Sequence, residues 1–115
     1  MTNLPFKETQ YTVYEILDQI SRKPGFYIVD PELTRLDSFM AGYDCGLAQG
    51  GMTSRQEEPD FHRFYDWVAH RLGYSSSTSG WYKMIRGRCA SEREAYDKFF
   101  ELLDEFRASG GGAVV

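Results

Sequence analysis

Apolar side chains recur at steps of three and four residues through separated stretches of this chain, and that period constrains the fold more than any other feature. Leu33, Leu36, Met40, Tyr43 and Leu47 follow it, and Phe39 widens the stripe, as in a helix that buries one face. Asp30-Pro31-Glu32 ahead of them reads as a helix start, with Asp as cap, Pro at the first helical position and an acid near the positive helix end. Gly50-Gly51 ends a core helix of about 15 residues.

The same reasoning places four more helices. Thr12-Val13-Tyr14-Glu15 has the form of a capping box and leads into Val13, Ile16, Leu17 and Ile20. That helix stops before Pro24-Gly25, because proline disfavours the helical conformation in the residue before it. Another runs from about Pro59 to Leu72, with Phe61, Phe64, Tyr65, Val68 and Leu72 on one face, Trp67 off its centre and Gly73 as stop. Trp81, Met84 and Ile85 suggest a short fourth helix. A second capping box, Ser91-Glu92-Arg93-Glu94, opens the last, lined by Ala95, Phe99, Leu102, Leu103 and Phe106.

Between them, Phe26-Tyr27-Ile28-Val29 is β-prone and reads as a strand or, since no convincing second strand exists to pair with it, equally as a short extended segment packed on helices. Residues 50–58 read as a polar loop, residues 1–10 as an irregular arm and residues 109–115 as a flexible tail. The expected fold is therefore all-α: a compact bundle of about five helices in a single domain spanning 1–115, the usual size of one domain. Aromatic residues make up 16% of the chain, enough large rings to build a core in so short a sequence. Cys45 and Cys89, outside any CxxC pair, read as reduced core thiols. No apolar run approaches the ~18 residues of a membrane span, and no secretory signal is visible, so the expected location is the cytoplasm.

Each constellation that could carry chemistry has an ordinary structural explanation. His62, Asp66 and His70 fall at i, i+4 and i+8, but three ligands along one helix rise about 12 Å and cannot converge on one ion. The serine-rich run from Ser75 to Gly80 lacks the spacing of a phosphate loop and reads as a capping turn. No metal or cofactor is implied. The net charge of −4 argues against nucleic acid, although Lys83, Arg86, Arg88 and Arg93 form a local basic stretch. Tyr74, Trp81, Tyr82 and Arg86 are of the types that dominate protein interfaces; Trp81 reads rather as core, and Tyr82 and Arg86, at i and i+4, as outward. Glu57, Glu58 and Asp60 add acids that could face a basic partner.

Two resemblances bear on function. The stretch Ile16-Leu17-Asp18-Gln19-Ile20-Ser21-Arg22-Lys23-Pro24-Gly25-Phe26-Tyr27-Ile28 looks like the early segment of gyrase B-type ATPases, in which a helix leads into an Arg-Lys-Pro-Gly turn. The next helix here carries Asp37 and Asp44 rather than the Asn and Glu that such enzymes use for magnesium and ATP, and the Gly-rich lid is missing. More broadly, the chain is similar over about residues 12–106 to small uncharacterised bacterial proteins of immunity or antitoxin type. The similarity rests on PGFYI at 24–28, the Leu33/Leu36/Phe39/Gly42-Tyr43 helix, Phe61-His62 with Trp67-Val68, Ser77-Thr78 with Gly80-Trp81, and Phe99-Phe100-Glu101-Leu102-Leu103. It implies a non-enzymatic protein-binding module that neutralises a basic toxin, and brings no catalytic residue with it. The alternatives are a small enzyme or ligand-binding domain with a pocket between aromatic-rich helices, and a nucleic-acid-associated regulator.

Overall fold

The computed structural model describes residues 7–76 and 80–112. The elements in order are β1 (Lys7–Thr12), α1 (Val13–Arg22), α2 (Pro24–Tyr27), α3 (Leu33–Gln49), β2 (Met52–Arg55), a 3-10 turn (Phe61–Arg63), α4 (Phe64–Leu72), α5 (Gly80–Arg86) and α6 (Glu92–Ala108). The chain is mostly helical, but it is not the all-α bundle expected. β1 and β2 form a two-stranded parallel sheet, with Lys7 opposite Met52, Glu8 opposite Thr53 and Thr12 opposite Arg55.

Residues 7–10 of the expected irregular arm thus belong to a strand, and so does part of the expected polar loop. Between Glu8 and Thr12 the pairing is irregular, and the Thr9 hydroxyl fills the gap: it accepts from the Arg55 amide at 3.2 Å and donates to the Tyr11 carbonyl at 2.6 Å.

The extended segment expected at 26–29 is absent. Pro24 occupies the first helical position of α2, and the Ile28 amide donates to the Pro24 carbonyl at 2.8 Å, closing a single helical turn. Proline presets the φ that such a turn needs, and that local preference outweighs the β-prone side chains after it. The turn buries Ile28 and leaves Phe26 and Val29 exposed at 79% and 66%. Val29 is held at φ 72, a left-handed conformation unusual for a β-branched residue.

Both expected starts hold, the first as a full capping box and the second as a serine N-cap whose Glu94 carboxylate reaches the amide before the cap instead of the cap's own. The Thr12 hydroxyl accepts from the Glu15 amide at 3.2 Å, and the Thr12 amide donates to Glu15 at 2.8 Å. Ser91 accepts from the Glu94 amide at 3.1 Å, while the Glu94 carboxylate accepts from the Ala90 amide at 2.6 Å. Helix α3 starts at Leu33, later than the Asp30-Pro31 reading, with no side-chain cap of its own. Its Thr34 amide is satisfied instead by Glu92 of α6, at 2.7 Å.

The core forms where the helices meet. Phe64, Phe99 and Phe106 are fully buried, with Phe64 edge-on to both others at ring-centroid distances of 5.5 and 5.3 Å. Leu17 and Ile20 of α1, Leu33 and Leu36 of α3, and Met84 and Ile85 of α5 close around them. Beyond Met40 no residue of α3 is buried. Cys45 on this stretch is exposed, not the core thiol expected, and Cys89 is half-buried; both are free. Past α6, the Gly111 amide donates to the Phe106 carbonyl at 2.9 Å, so residues 109–112 of the expected tail make a packed turn.

Candidate functional site

Because α3 outruns its core, its second half stands against β2 with space between them. The space is a groove of about 530 Å³, lined from α3 on one side and from residues 52–57 on the other, with the start of α1, the 3-10 turn and α4 at its end. One face of α3 points into it: Asp37, Met40, Ala41, Asp44, Leu47 and Ala48, at helical spacing.

The charges at the groove differ in how they are held. Arg55 reaches out to Glu15 at 3.2 Å. Glu57 accepts from the Thr12 hydroxyl at 2.7 Å and from Arg107 at 2.8 Å. Asp60 caps the 3-10 turn, accepting from the His62 amide at 3.0 Å with the His62 ring at 3.2 Å. The bond from that amide holds the Asp60 carboxyl below the ordinary carboxylate range.

Asp37 and Asp44 behave differently. Neither side chain has a hydrogen-bond or ion-pair partner among the described residues; only the charge of His62 reaches Asp44. Asp37 is half-buried. Asp44 keeps solvent contact, but the groove walls displace part of its hydration. Loss of water pushes both carboxyls above their ordinary value. Deeper in, burial raises the Tyr65 phenol, and Asp44 and Asp37 raise it further, against the indole N–H of Trp81 donating to its oxygen. The groove is therefore an anionic site with an apolar floor. It favours cationic groups, whose charge would offset the loss of water at its two carboxylates.

The residues singled out in the sequence divide between this groove and places remote from it. Glu57 and Asp60 line it, and Trp81 closes its floor, 4% exposed and packed on Phe99 at 4.7 Å. Glu58 is exposed nearby and does not line it. Tyr74, Tyr82 and Arg86 are half-buried and held inside the fold. The Tyr74 hydroxyl donates to the Met84 carbonyl at 2.8 Å, under the Arg88 guanidinium at 4.4 Å. Tyr82 and Arg86 both donate to Glu92, at 2.7 and 3.0 Å. Burial presses the Glu92 carboxyl upward, but the Thr34 amide, Tyr82 and Arg86 outweigh it and leave it below the ordinary range.

The arginines of the basic stretch are likewise engaged, Arg93 pairing with Asp97 at 3.3 Å and Arg88 donating to the Leu72 carbonyl at 3.0 Å, while Lys83 is exposed. The His-Asp-His row is broken, because His62 lies in the 3-10 turn facing the groove while Asp66 and His70 are exposed on α4, outside its lining. Among the described residues, no three His, Cys, Asp or Glu side chains come together as metal ligands. The middle of the serine-rich turn, 77–79, lies outside the described residues.

Sequence reasoning missed Asp37, Asp44 and Tyr65 as site residues. A signal existed: Asp37, Ala41, Asp44 and Ala48 follow helical spacing beside the apolar stripe of α3 and mark a second, acidic face of small residues. Comparison with protein-family models, with curated proteins and with solved structures yields no match to this chain. No helix of the described residues is long and apolar enough to cross a membrane.

Proposed function

We propose that this chain is a non-enzymatic protein-binding module that accepts a basic region of its partner in the groove between α3 and β2, in the manner of an immunity-type inhibitor. The observation that carries this reading is the pair Asp37 and Asp44: carboxylates raised by loss of water, unpartnered, and facing a cavity large enough to admit side chains. Retaining uncompensated acids in a partly desolvated groove disfavours the free protein, and a cationic partner removes that penalty. The resemblance to immunity and antitoxin proteins points to a toxin as partner.

The test is co-expression with the product of the adjacent gene in the native host. The reading expects that product to arrest growth alone and the present chain to restore growth. The double variant Asp37→Asn/Asp44→Asn, folded by circular dichroism, loses the protection. Equal protection by that variant, or an adjacent product with no effect on growth, refutes the reading.

A second reading is favoured by the cavity itself, whose volume lies within the ~300–1,000 Å³ of small-molecule sites. It takes a cationic small ligand. A thermal shift with spermidine, absent with an anionic compound of equal size and unaccompanied by toxin protection, selects it over a protein partner.

A further inference from the structure

The groove wall formed by β2 is made of consecutive residues, Met52 through Glu57. A strand that turns one face to a cavity contributes every second residue; one that contributes all of them presents its edge. The pairing with β1 agrees. The Lys7 amide donates to the Gly51 carbonyl at 2.9 Å, and Glu8 lies opposite Thr53. In a parallel ladder this register turns the N–H and C=O of Thr53 toward β1. The Arg55 amide, donating to Thr9, is turned the same way. The main-chain groups of Met52 and Ser54 therefore point to the opposite edge. There, among the described residues, the Ser54 carbonyl accepts only a long bond of 3.3 Å from the Gln56 side chain.

Two short parallel strands make an incomplete sheet by themselves. Parallel pairing is normally found in larger sheets covered on both faces, and an open edge is a template for another strand. Across the groove, α3 offers Ala41 and Ala48, whose small side chains leave room, and Asp37 and Asp44, about 10.5 Å apart along the helix axis. Basic side chains two positions apart on an extended segment stand about 6.6 Å apart, and their flexible stems cover the difference.

We propose that the groove receives an extended basic segment of the partner protein, which adds to the open edge of β2 as a third strand and directs lysine or arginine side chains at Asp37 and Asp44. This deepens the protein-binding reading and rests on it. Main-chain hydrogen bonds to Met52 and Ser54 hold the segment, and the two acids select its charge.

The test uses a fluorescent peptide of about eight residues alternating lysine and valine. Two analogues carry N-methyl groups on alternate amides, one on the odd and one on the even positions. An alternating glutamate–valine peptide of the same length is the charge control. A strand that pairs along one edge uses only one set of its amides. The expected result is binding of the parent peptide, loss of at least about 10-fold with one methylated analogue, and near-full binding of the other. Asp37→Asn/Asp44→Asn weakens binding by about 10-fold, and the glutamate peptide does not bind. Amide resonances of residues 52–57 shift with the parent peptide.

Equal binding of both methylated analogues, with the dependence on Asp37 and Asp44 intact, overturns strand addition and leaves the basic-partner reading standing. Failure of the parent peptide to bind, or binding indifferent to the two acids, overturns both. Concentration-dependent self-association that the peptide does not compete away assigns the edge to a second copy of the chain, and overturns the proposal.

Discussion

Glu57 looks like a binding residue in the sequence and acts as a strap in the fold. One carboxylate oxygen accepts from the Thr12 hydroxyl at 2.7 Å and the other from Arg107 at 2.8 Å. Thr12 is the buried cap of α1, 3% exposed. Arg107 lies in the last turn of α6 and over the Tyr14 ring at 4.2 Å, and the Tyr14 hydroxyl donates to the Pro59 carbonyl. Burial pushes that phenol up to about 12, so it stays protonated and donating through the neutral range. A single side chain thus joins the start of α1, the end of α6 and the loop after β2.

Its removal should be felt as stability. A hydrogen bond from a buried hydroxyl to a carboxylate contributes about 1.5–3 kcal/mol. The Arg107 pair adds little, because its side chains are 39% and 35% exposed and such pairs give about 0.2–1 kcal/mol. Glu57→Ala should therefore cost about 2 kcal/mol. For a chain of 115 residues, with an unfolding entropy of about 2.1 cal/mol/K per residue, that lowers Tm by about 8 °C. Calorimetry at neutral pH reads this directly, with Glu57→Gln falling between wild type and Ala. A double-mutant cycle with Thr12→Val isolates the Thr12–Glu57 bond and should give about 1.5 kcal/mol of coupling. A Tm change under about 2 °C with no coupling would refute the strap and return Glu57 to the binding surface.

Asp37→Asn and Asp44→Asn should change the pH profile of stability with a definite sign. Burial places both native carboxyls above the unfolded value of 3.8, so between the two values the native state holds the extra protons, and stability falls as pH rises through that window. Asp60 acts oppositely, since its lowered value gives stability present above the ordinary range and lost as pH falls through the native one. Melting scans between about pH 3 and 7 should show a steeper rise with pH in the Asn variants; an unchanged profile sinks the assignment. Val29→Gly should stabilise by up to about 1 kcal/mol, because relief of the left-handed strain exceeds the entropy lost by glycine and the 66%-exposed side chain gives up little burial. Urea denaturation showing a loss of stability would contradict this. Tyr96→Phe removes a buried hydroxyl that has no partner among the described residues and should be neutral or stabilising by about 1 kcal/mol, so a drop in Tm of several degrees would reveal a partner.

The sequence made helices legible wherever an apolar period and a local cap coincided. Thr12 with Glu15 and Ser91 with Glu94 are decided within four residues, and α1 and α6 start where those patterns place them. The start of α3 was illegible because its Thr34 amide is satisfied by Glu92, distant in sequence. The strands were hidden for a related reason. Lys7–Thr12 and Met52–Arg55 are mostly polar, bury almost nothing, and are defined by pairing with each other, which no local pattern announces. Trp67 fell off the predicted stripe because α4 is packed widely enough to bury Phe64, Trp67, Val68 and Ala69 together. At the site, Glu57 and Asp60 were found by their charge. Asp37 and Asp44 were not, since on a helix an acid beside the apolar stripe reads as solvated until the opposite wall is in place.

That wall also explains why the groove lies at this end of α3. The helix is anchored by Leu33, Leu36 and Met40, and its later residues have only partial burial to hold them. Gly42 and Gly46 weaken it further: a methyl group at either would meet open space, so neither glycine is required by packing, and each disfavours helix by about 1 kcal/mol against alanine. Local stability follows local burial, so amide hydrogen exchange should be slow over residues 33–40 and faster by at least about 10-fold over 41–49. If a basic segment closes the groove, it supplies the missing support, and the lysine–valine peptide should slow exchange over 41–49 and leave 33–40 unchanged. Gly42→Ala/Gly46→Ala should slow exchange over the same stretch without peptide. Uniform protection along α3 in the free chain would show that the helix needs no partner to complete it, and would separate its local stability from binding.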